Sequence, residues 1–395
     1  MEQEIYTRIS TFLERWKGIK FEFEILPSSL VPAPADGHLP IIEDGPSFGI
    51  SKQGLIRAFC FARTLFFQAS NGLSPDPCKQ HDYFQASSII LLFDPEHLTA
   101  ANARKKRLFA LKRHASKFGA LGNAQSQEEE RPLKKAVHEE LVFLESILTS
   151  PLHRHSKSPT LWYYRRWIYT QFYDIVWLWP ASTRKESLTA FNETDEATNL
   201  ASTIPMSELR LVMKAAERHP KNYYAWNYAR EMIYLADTWR SATTTVFADS
   251  NRSDLYITFC RSVQEWCLTH ASDTSGWSFL LFLLRRGDRD VDYVSAVPLQ
   301  LVQEVVDLTL NFKWEHEAVW CFLRSVLASS EILSVDQREQ LLARIRDNLG
   351  QSAKSGTENN MENDIISLAG SEGASKGTSQ EKGLRWISVF KEDIA

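Results

Sequence analysis

Apolar residues recur at spacings of three and four along most of this chain, the period of an α-helix buried along one face. The N-terminal stretch 1–24 reads as one helix with Ile5, Ile9, Phe12, Leu13 and Trp16 on a common side. Residues 26–46 are rich in Pro, Gly and Asp and read as an extended arm. Periodicity returns in Leu55 to Phe67 and again in Tyr83 to Phe93, then in leading helices 139–148, 207–218, 254–269 and 300–312 and in a final helix 336–349. No segment is read as alternating with period two, so strands are not expected.

The helices are punctuated by a recurring turn. Its best-formed copy is His219-Pro220-Lys221-Asn222-Tyr223-Tyr224-Ala225-Trp226, in which Asn222 is placed to cap the helix that carries Trp226. Weaker copies in the same register end at Trp162, Trp277 and Trp320, and an upstream one, Phe93-Asp94-Pro95-Glu96-His97-Leu98, places Ala101 in the Trp slot. Arg104 and Arg165 stand three residues after their anchors, whereas Ala229 takes that place after Trp226 and Arg230 follows it. The anchor spacings of 61, 64, 51 and 43 residues exceed or match a bare helical hairpin, so 116–135, 181–205 and 238–254, all polar, are expected to be surface loops.

The fold class expected is therefore all-α, an α-α superhelix: a right-handed solenoid of helical hairpins in which each hairpin buries its neighbour's apolar stripe. The expected organisation is an N-terminal helix and arm over 1–53, a five-repeat solenoid over 54–349, a disordered linker over 350–382, and an apolar C-terminal segment over 383–395.

Composition narrows the function. The 395-residue chain is 44% hydrophobic with a formal charge of -4, which argues against nucleic acid as the main partner. The acidic start Met1-Glu2-Gln3-Glu4 lacks the features of a signal peptide, and no 18-residue apolar span is present, so a soluble, cytoplasmic protein is expected. Five scattered cysteines, 60, 78, 260, 267 and 321, read as reduced core thiols. His153-Arg154-His155 and His138-Glu139-Glu140 lack metal-ligand spacing and read as surface residues, so no metal or cofactor is expected on this chain.

The turn motif resembles the repeat of protein prenyltransferase α subunits: Pro-Lys-Asn-Tyr-x-x-Trp at 220–226, Arg165-Arg166-Trp167 after Trp162, and five copies over 93–324. Asp273-Thr274-Ser275-Gly276-Trp277 and His316-Glu317-x-x-Trp320 are similar to the repeat-containing branch of that family. The resemblance implies a crescent of hairpins around a separate β subunit that holds zinc and the lipid pocket. It implies transfer of a farnesyl or geranylgeranyl group from its diphosphate to a cysteine near a protein's C-terminus. Matched by register, Lys157 stands where a lysine points at the diphosphate, Tyr223 and Tyr224 stand beside that pocket, and Lys221 is a further cation on that side. The second copy reads Ser156-Lys157-Ser158-Pro159, a departure that keeps the cation.

The residues themselves leave other roles open. Tyr223 and Trp226 are expected first to pack the hairpin, Lys157 and Lys221 can equally be solvated, and Arg104 and Arg165 are expected to brace helix-end carbonyls or acidic residues next door. A scaffold that kept the fold without the chemistry, or a peptide-binding solenoid, is the competing reading.

Overall fold

The computed structural model describes residues 1–31, 41–70, 77–119, 124–177, 200–242, 249–286 and 292–360. These form two compact units, Met1–Thr244 and Thr245–Ala395.

The first unit opens with helix α1 (Glu2–Arg15), which buries Ile5, Ile9, Phe12 and Leu13 as expected. It stops well short of residue 24. Gly18 adopts a left-handed φ of +77°, which a side chain would resist, and the chain reverses there. It continues as β1 (Glu22–Leu26), followed by β2 (Ile41–Asp44) and β3 (Ser47–Ser51) in the order β1-β3-β2, with β1 parallel and β2 antiparallel to β3. The expectation of no strands is thus corrected. Phe21-Glu22-Phe23-Glu24 does alternate, but over too few residues to stand out from the helical stripe before it. Phe12, Phe23 and Phe48 pack into one aromatic cluster beneath the sheet, with Glu43 of β2 bonded to Arg8 and Arg15 of α1.

Then come α2 (Lys52–Ser70), α3 (Pro77–Phe93), α4 (Leu98–Gly119), α5 (Ala124–Leu148), the short α6 (His153–Ser156), α7 (Pro159–Gln171), the short α8 (Tyr173–Trp177), α9 (Leu200–Arg218) and α10 (Tyr223–Ala242). The second unit holds α11 (Asp249–Thr269), α12 (Thr274–Leu284), α13 (Asp292–Asn311), α14 (Glu317–Leu327) and α15 (Val335–Asn360). The all-α hairpin reading holds. Within the first unit, trailing helices α4, α7 and α10 pack in series, and in the second α12 packs on α14 while α11 packs on α13.

Register is kept in every copy. Each trailing helix starts three residues before its anchor, and Ala101, Trp162, Trp226, Trp277 and Trp320 are all buried. The residue four before the anchor accepts a backbone N–H of the first turn in four copies: His97 from Ala100, Ser158 from Leu161, Asn222 from Ala225, and Asp273 from Ser275 and Gly276. Such caps satisfy donors that the helix leaves open. The indoles of Trp162, Trp277 and Trp320 donate to the carbonyl six residues earlier, at 2.8–3.0 Å.

Two of the expected insertions are mostly helix. Residues 116–119 finish α4 and 124–135 begin α5, while 238–242 finish α10 and 249–254 begin α11, so polarity in those stretches does not mark a loop; 120–123 and 243–248 lie outside the described residues. Residues 181–199, 361–382 and the C-terminal segment 383–395 lie outside the described residues, while 350–360 continue α15 rather than the expected linker. Cys260 and Cys267 are buried thiols, but Cys60 is exposed and Cys321 half-buried, so the core-thiol expectation holds for the first two and not for the others.

Hairpins of the first unit are joined by a repeated buried clamp. Arg104 reaches into the next hairpin and gives two hydrogen bonds to Glu140, at 3.0 and 2.8 Å, while Tyr164 of α7 donates to the same carboxylate at 2.9 Å. One hairpin later, Arg165 gives two bonds to Glu208, at 2.7 and 2.6 Å, joined by the hydroxyls of Tyr228 and Tyr169. Burial alone would raise the Glu208 pKa, but the charge and hydrogen bonds of Arg165 and the two phenols outweigh it and hold the carboxyl low. The same burial, with Glu208 alongside, pushes the Tyr228 phenol well up, so it stays a donor. The bracing role expected of Arg104 and Arg165 is what the structure shows.

Arg165→Ala leaves Glu208 buried without its counter-charge, so denaturation should show a loss of about 3–5 kcal/mol; a loss below about 1 kcal/mol would refute the clamp. Because the Glu208 pKa is depressed, its contribution is complete above the ordinary carboxylate range and is lost as pH falls through the lower folded value. Glu208→Gln should therefore flatten the acid limb of the stability curve. In the second unit, a Cβ on Gly276 would stand 2.6 Å from the Trp266 ring, so Gly276→Ala should cost about 1–3 kcal/mol in the same assay.

Candidate functional site

The turns before α4, α7 and α10 are laced to one another. His155 bonds the Leu92 carbonyl at 2.7 Å and the Ser158 hydroxyl donates to Pro95 O, tying the first turn to the second. The second is tied to the third through Ser156, whose carbonyl and hydroxyl both accept from the Asn222 amide, at 3.0 and 3.1 Å. Asn222 is fully buried here and also caps α10, so one side chain fixes both the helix start and its distance from the preceding hairpin.

Lys157 belongs to this lacing. It follows the last residue of α6, and its ammonium donates to the Pro220 carbonyl at 3.0 Å. Pro220 is the residue six before Trp226, whose counterpart carbonyls in three other copies accept from the anchor indole. Lys157 thus occupies a structural acceptor of the repeat, at a half-exposed place.

Beside it, Lys221 adopts a left-handed φ of +58°, turning the chain sharply before α10. Tyr223 and Tyr224 follow at the start of the helix, 61% and 43% exposed, with their rings edge to face at 5.8 Å. The expectation that Tyr223 packs the hairpin is corrected. Three residues of helix leave it roughly 60° from Trp226, and at the first helical position that rotation carries it past the apolar seam. Trp226 alone has the packing role, with no exposure. Along the same helix, burial lowers the Arg230 pKa, with Tyr223 and Tyr234 acting against it.

The two histidine motifs differ from expectation in part, for His153 and Arg154 are exposed as expected. His155 is buried, and that burial pushes its pKa down; Glu139 and Glu140 are buried as well. They read as surface residues because the sequence does not show that Leu92 of α3 and Phe23 of β1 meet His155, or that Lys17 and Arg104 reach Glu139 and Glu140. Burial pushes the Glu139 carboxyl up, against Lys17 and Arg107 nearby, and a cavity of about 30 Å³ beside it has room for a single water. Among the described residues no group of three or more His, Cys, Asp or Glu could hold a metal ion, and no helix is long and apolar enough to cross a membrane.

Sequence reasoning missed the carboxylates of the clamps. A signal was present: a Tyr stands two residues after both Trp162 and Trp226, and it is Tyr164 and Tyr228 that bond Glu140 and Glu208.

Comparisons with known proteins agree with this register. The family model of the protein prenyltransferase alpha subunit repeat matches residues 137–172, the hairpin that contains Glu140, Lys157 and Arg165, and the ECM9 middle domain model matches 161–297. Protein prenyltransferase alpha subunit repeat-containing protein 1-B of Xenopus laevis is 27% identical over 193 residues, 46% of this chain and 39% of that protein. The human repeat-containing protein 1 is 27% identical over 134 residues, 34% of this chain and 29% of its own length, and the Danio rerio protein 25% over 199 residues, 50% and 37%. The chain thus spans two-fifths or less of the length of these curated relatives. Residues 137–172 thus match the prenyltransferase alpha subunit repeat, and the similarity to repeat-containing proteins agrees with the resemblance seen in the sequence.

The lacing predicts unequal costs. Asn222→Ala removes a cap and two interhairpin bonds and should lower stability by about 1–2 kcal/mol, whereas Lys157→Ala, at a half-exposed bond, should cost less than about 1 kcal/mol. Equal losses in chemical denaturation would contradict the assignment.

Proposed function

We propose that this chain, a carrier of the prenyltransferase alpha subunit repeat, is the α subunit of a heterodimeric protein prenyltransferase in the cytoplasm, active only with a β subunit. The observation that carries the reading is the turn itself: a half-exposed lysine, Lys157, in the repeat that the family model matches, with Lys221 and two exposed phenols on the next turn.

In the reaction, the C–O bond between isoprenoid and diphosphate breaks as a C–S bond to a protein cysteine forms, and negative charge grows on the leaving diphosphate. A positioned ammonium and phenolic O–H groups stabilise that charge more in the transition state than in the ground state. In this reading Lys157 exchanges Pro220 O for a diphosphate oxygen, with Tyr223, Tyr224 and Lys221 on the same side. Zinc and the lipid pocket belong to the β subunit, and the choice between farnesyl and geranylgeranyl with them.

The second reading, a scaffold without chemistry, is favoured by one observation: Lys157 already has a structural acceptor. Co-expression of the full chain with each prenyltransferase β subunit of its host separates the two. A stable pair that prenylates a peptide ending in a cysteine motif supports the proposal, and a pair without transfer supports the scaffold. In the active pair Lys157→Ala should slow single-turnover transfer by roughly a hundredfold, the scale for losing one charge-stabilising donor. An unchanged rate with the pair intact removes Lys157 from the site.

A further inference from the structure

Helix α4 carries Arg104, Lys105, Lys106, Arg107, Lys112, Arg113 and Lys117 and no acidic residue, in a chain whose net charge is -4. The inward cations are accounted for. Arg104 and Arg107 face Glu140, and Lys112 donates to the Gln171 carbonyl. The outward ones are different. Lys106, Arg113 and Lys117 are exposed and fall on a single line along the helix, at i, i+7 and i+11. Beside them the half-buried Lys105 ammonium lies 4.7 Å from the ring of Tyr163, 5.3 Å from Tyr164 and 5.5 Å from Trp167. Among the described residues none of these four cations forms an ion pair or a hydrogen bond, and burial pushes the Lys105 pKa down.

Like charges four apart on a helix repel, as Arg113 and Lys117 do here. The helix dipole offsets this near the C-terminal end, but not for Lys105 and Lys106 in the first half. Tyr163 and Phe109, 57% and 39% exposed, border the line of cations. Exposed aromatics and arginine are enriched at protein-binding surfaces, and a line of cations selects a partner of opposite charge.

We infer that the outer face of α4 docks an acidic segment of a partner protein, with carboxylates meeting Lys106, Arg113 and Lys117 and one carboxylate meeting Lys105 at the edge of Tyr163. The line spans roughly 16 Å, three helical turns, which suits a short acidic helix. A long polyanion or an anionic bilayer would also meet the chain's overall negative charge, which disfavours both. This docking is independent of the prenyl-transfer reading, since it uses neither Lys157 nor the turn beside it.

The test titrates the full chain against a labelled glutamate-rich helical peptide, a duplex oligonucleotide, and vesicles of phosphatidylserine in phosphatidylcholine, at about 150 mM salt. The peptide should bind best. Its affinity should drop by about tenfold or more in Lys106→Glu/Arg113→Glu/Lys117→Glu, the scale of several exposed pairs lost together, and also in Lys105→Gln and Tyr163→Ala. Lys106, Arg113, Lys117 and Tyr163 are exposed and Lys105 is half-buried, and unchanged circular dichroism would show that the fold is kept. Failure of the peptide to bind, equal binding by the triple variant, or tighter binding of the oligonucleotide or the vesicles would each overturn the inference.

Discussion

A buried carboxylate shared between two hairpins is the constraint on which the first unit depends. Glu140 and Glu208 each accept from an arginine of the preceding hairpin and from a tyrosine of their own trailing helix. Neither hairpin can shift without leaving a charge unpaired in the interior, which is costly even though the intact pair adds little net stability. The clamp therefore acts less as glue than as a spacer that fixes one hairpin against the next.

That spacing matters because the turns are laced at the same hairpin junctions. With α7 held to α9 by Arg165 and Glu208, Ser156 comes within reach of Asn222, and Lys157 within reach of Pro220 O. The clamp series ends at Ala229, which stands in the arginine slot after Trp226. In the second unit the tyrosine slots hold Phe279 and Phe322, and Trp277 packs on Phe322 with ring centroids 4.9 Å apart. Charged and apolar solutions to the same stacking problem thus occupy one register. Replacing a buried ion pair by well-packed apolar residues is often neutral in energy, so the copies can look degenerate in sequence while keeping the fold.

Function, in the proposed reading, is placed on residues that the packing leaves over. Trp226, Ala225 and Asn222 are consumed by the hairpin, while Tyr223 and Tyr224 remain exposed beside Lys221. Likewise the inward arginines of α4 are consumed by Glu140, and its outward lysines are left facing solvent.

The sequence by itself determined the repeat frame. Anchor, cap and helix start lie at fixed offsets because each is set locally, by a buried indole, a side chain that accepts first-turn N–H groups, and a 3.6-residue period. It could also say that Arg104 and Arg165 brace a neighbour, since a +3 arginine on a packed helix must find an acceptor. Only the tertiary structure decided which one. Glu140 and Glu208 lie 36 and 43 residues downstream of their arginines, a separation set by hairpin length and not by any local rule. The same holds for the sheet, whose strands are too short to show a period and exist because β3 pairs with both.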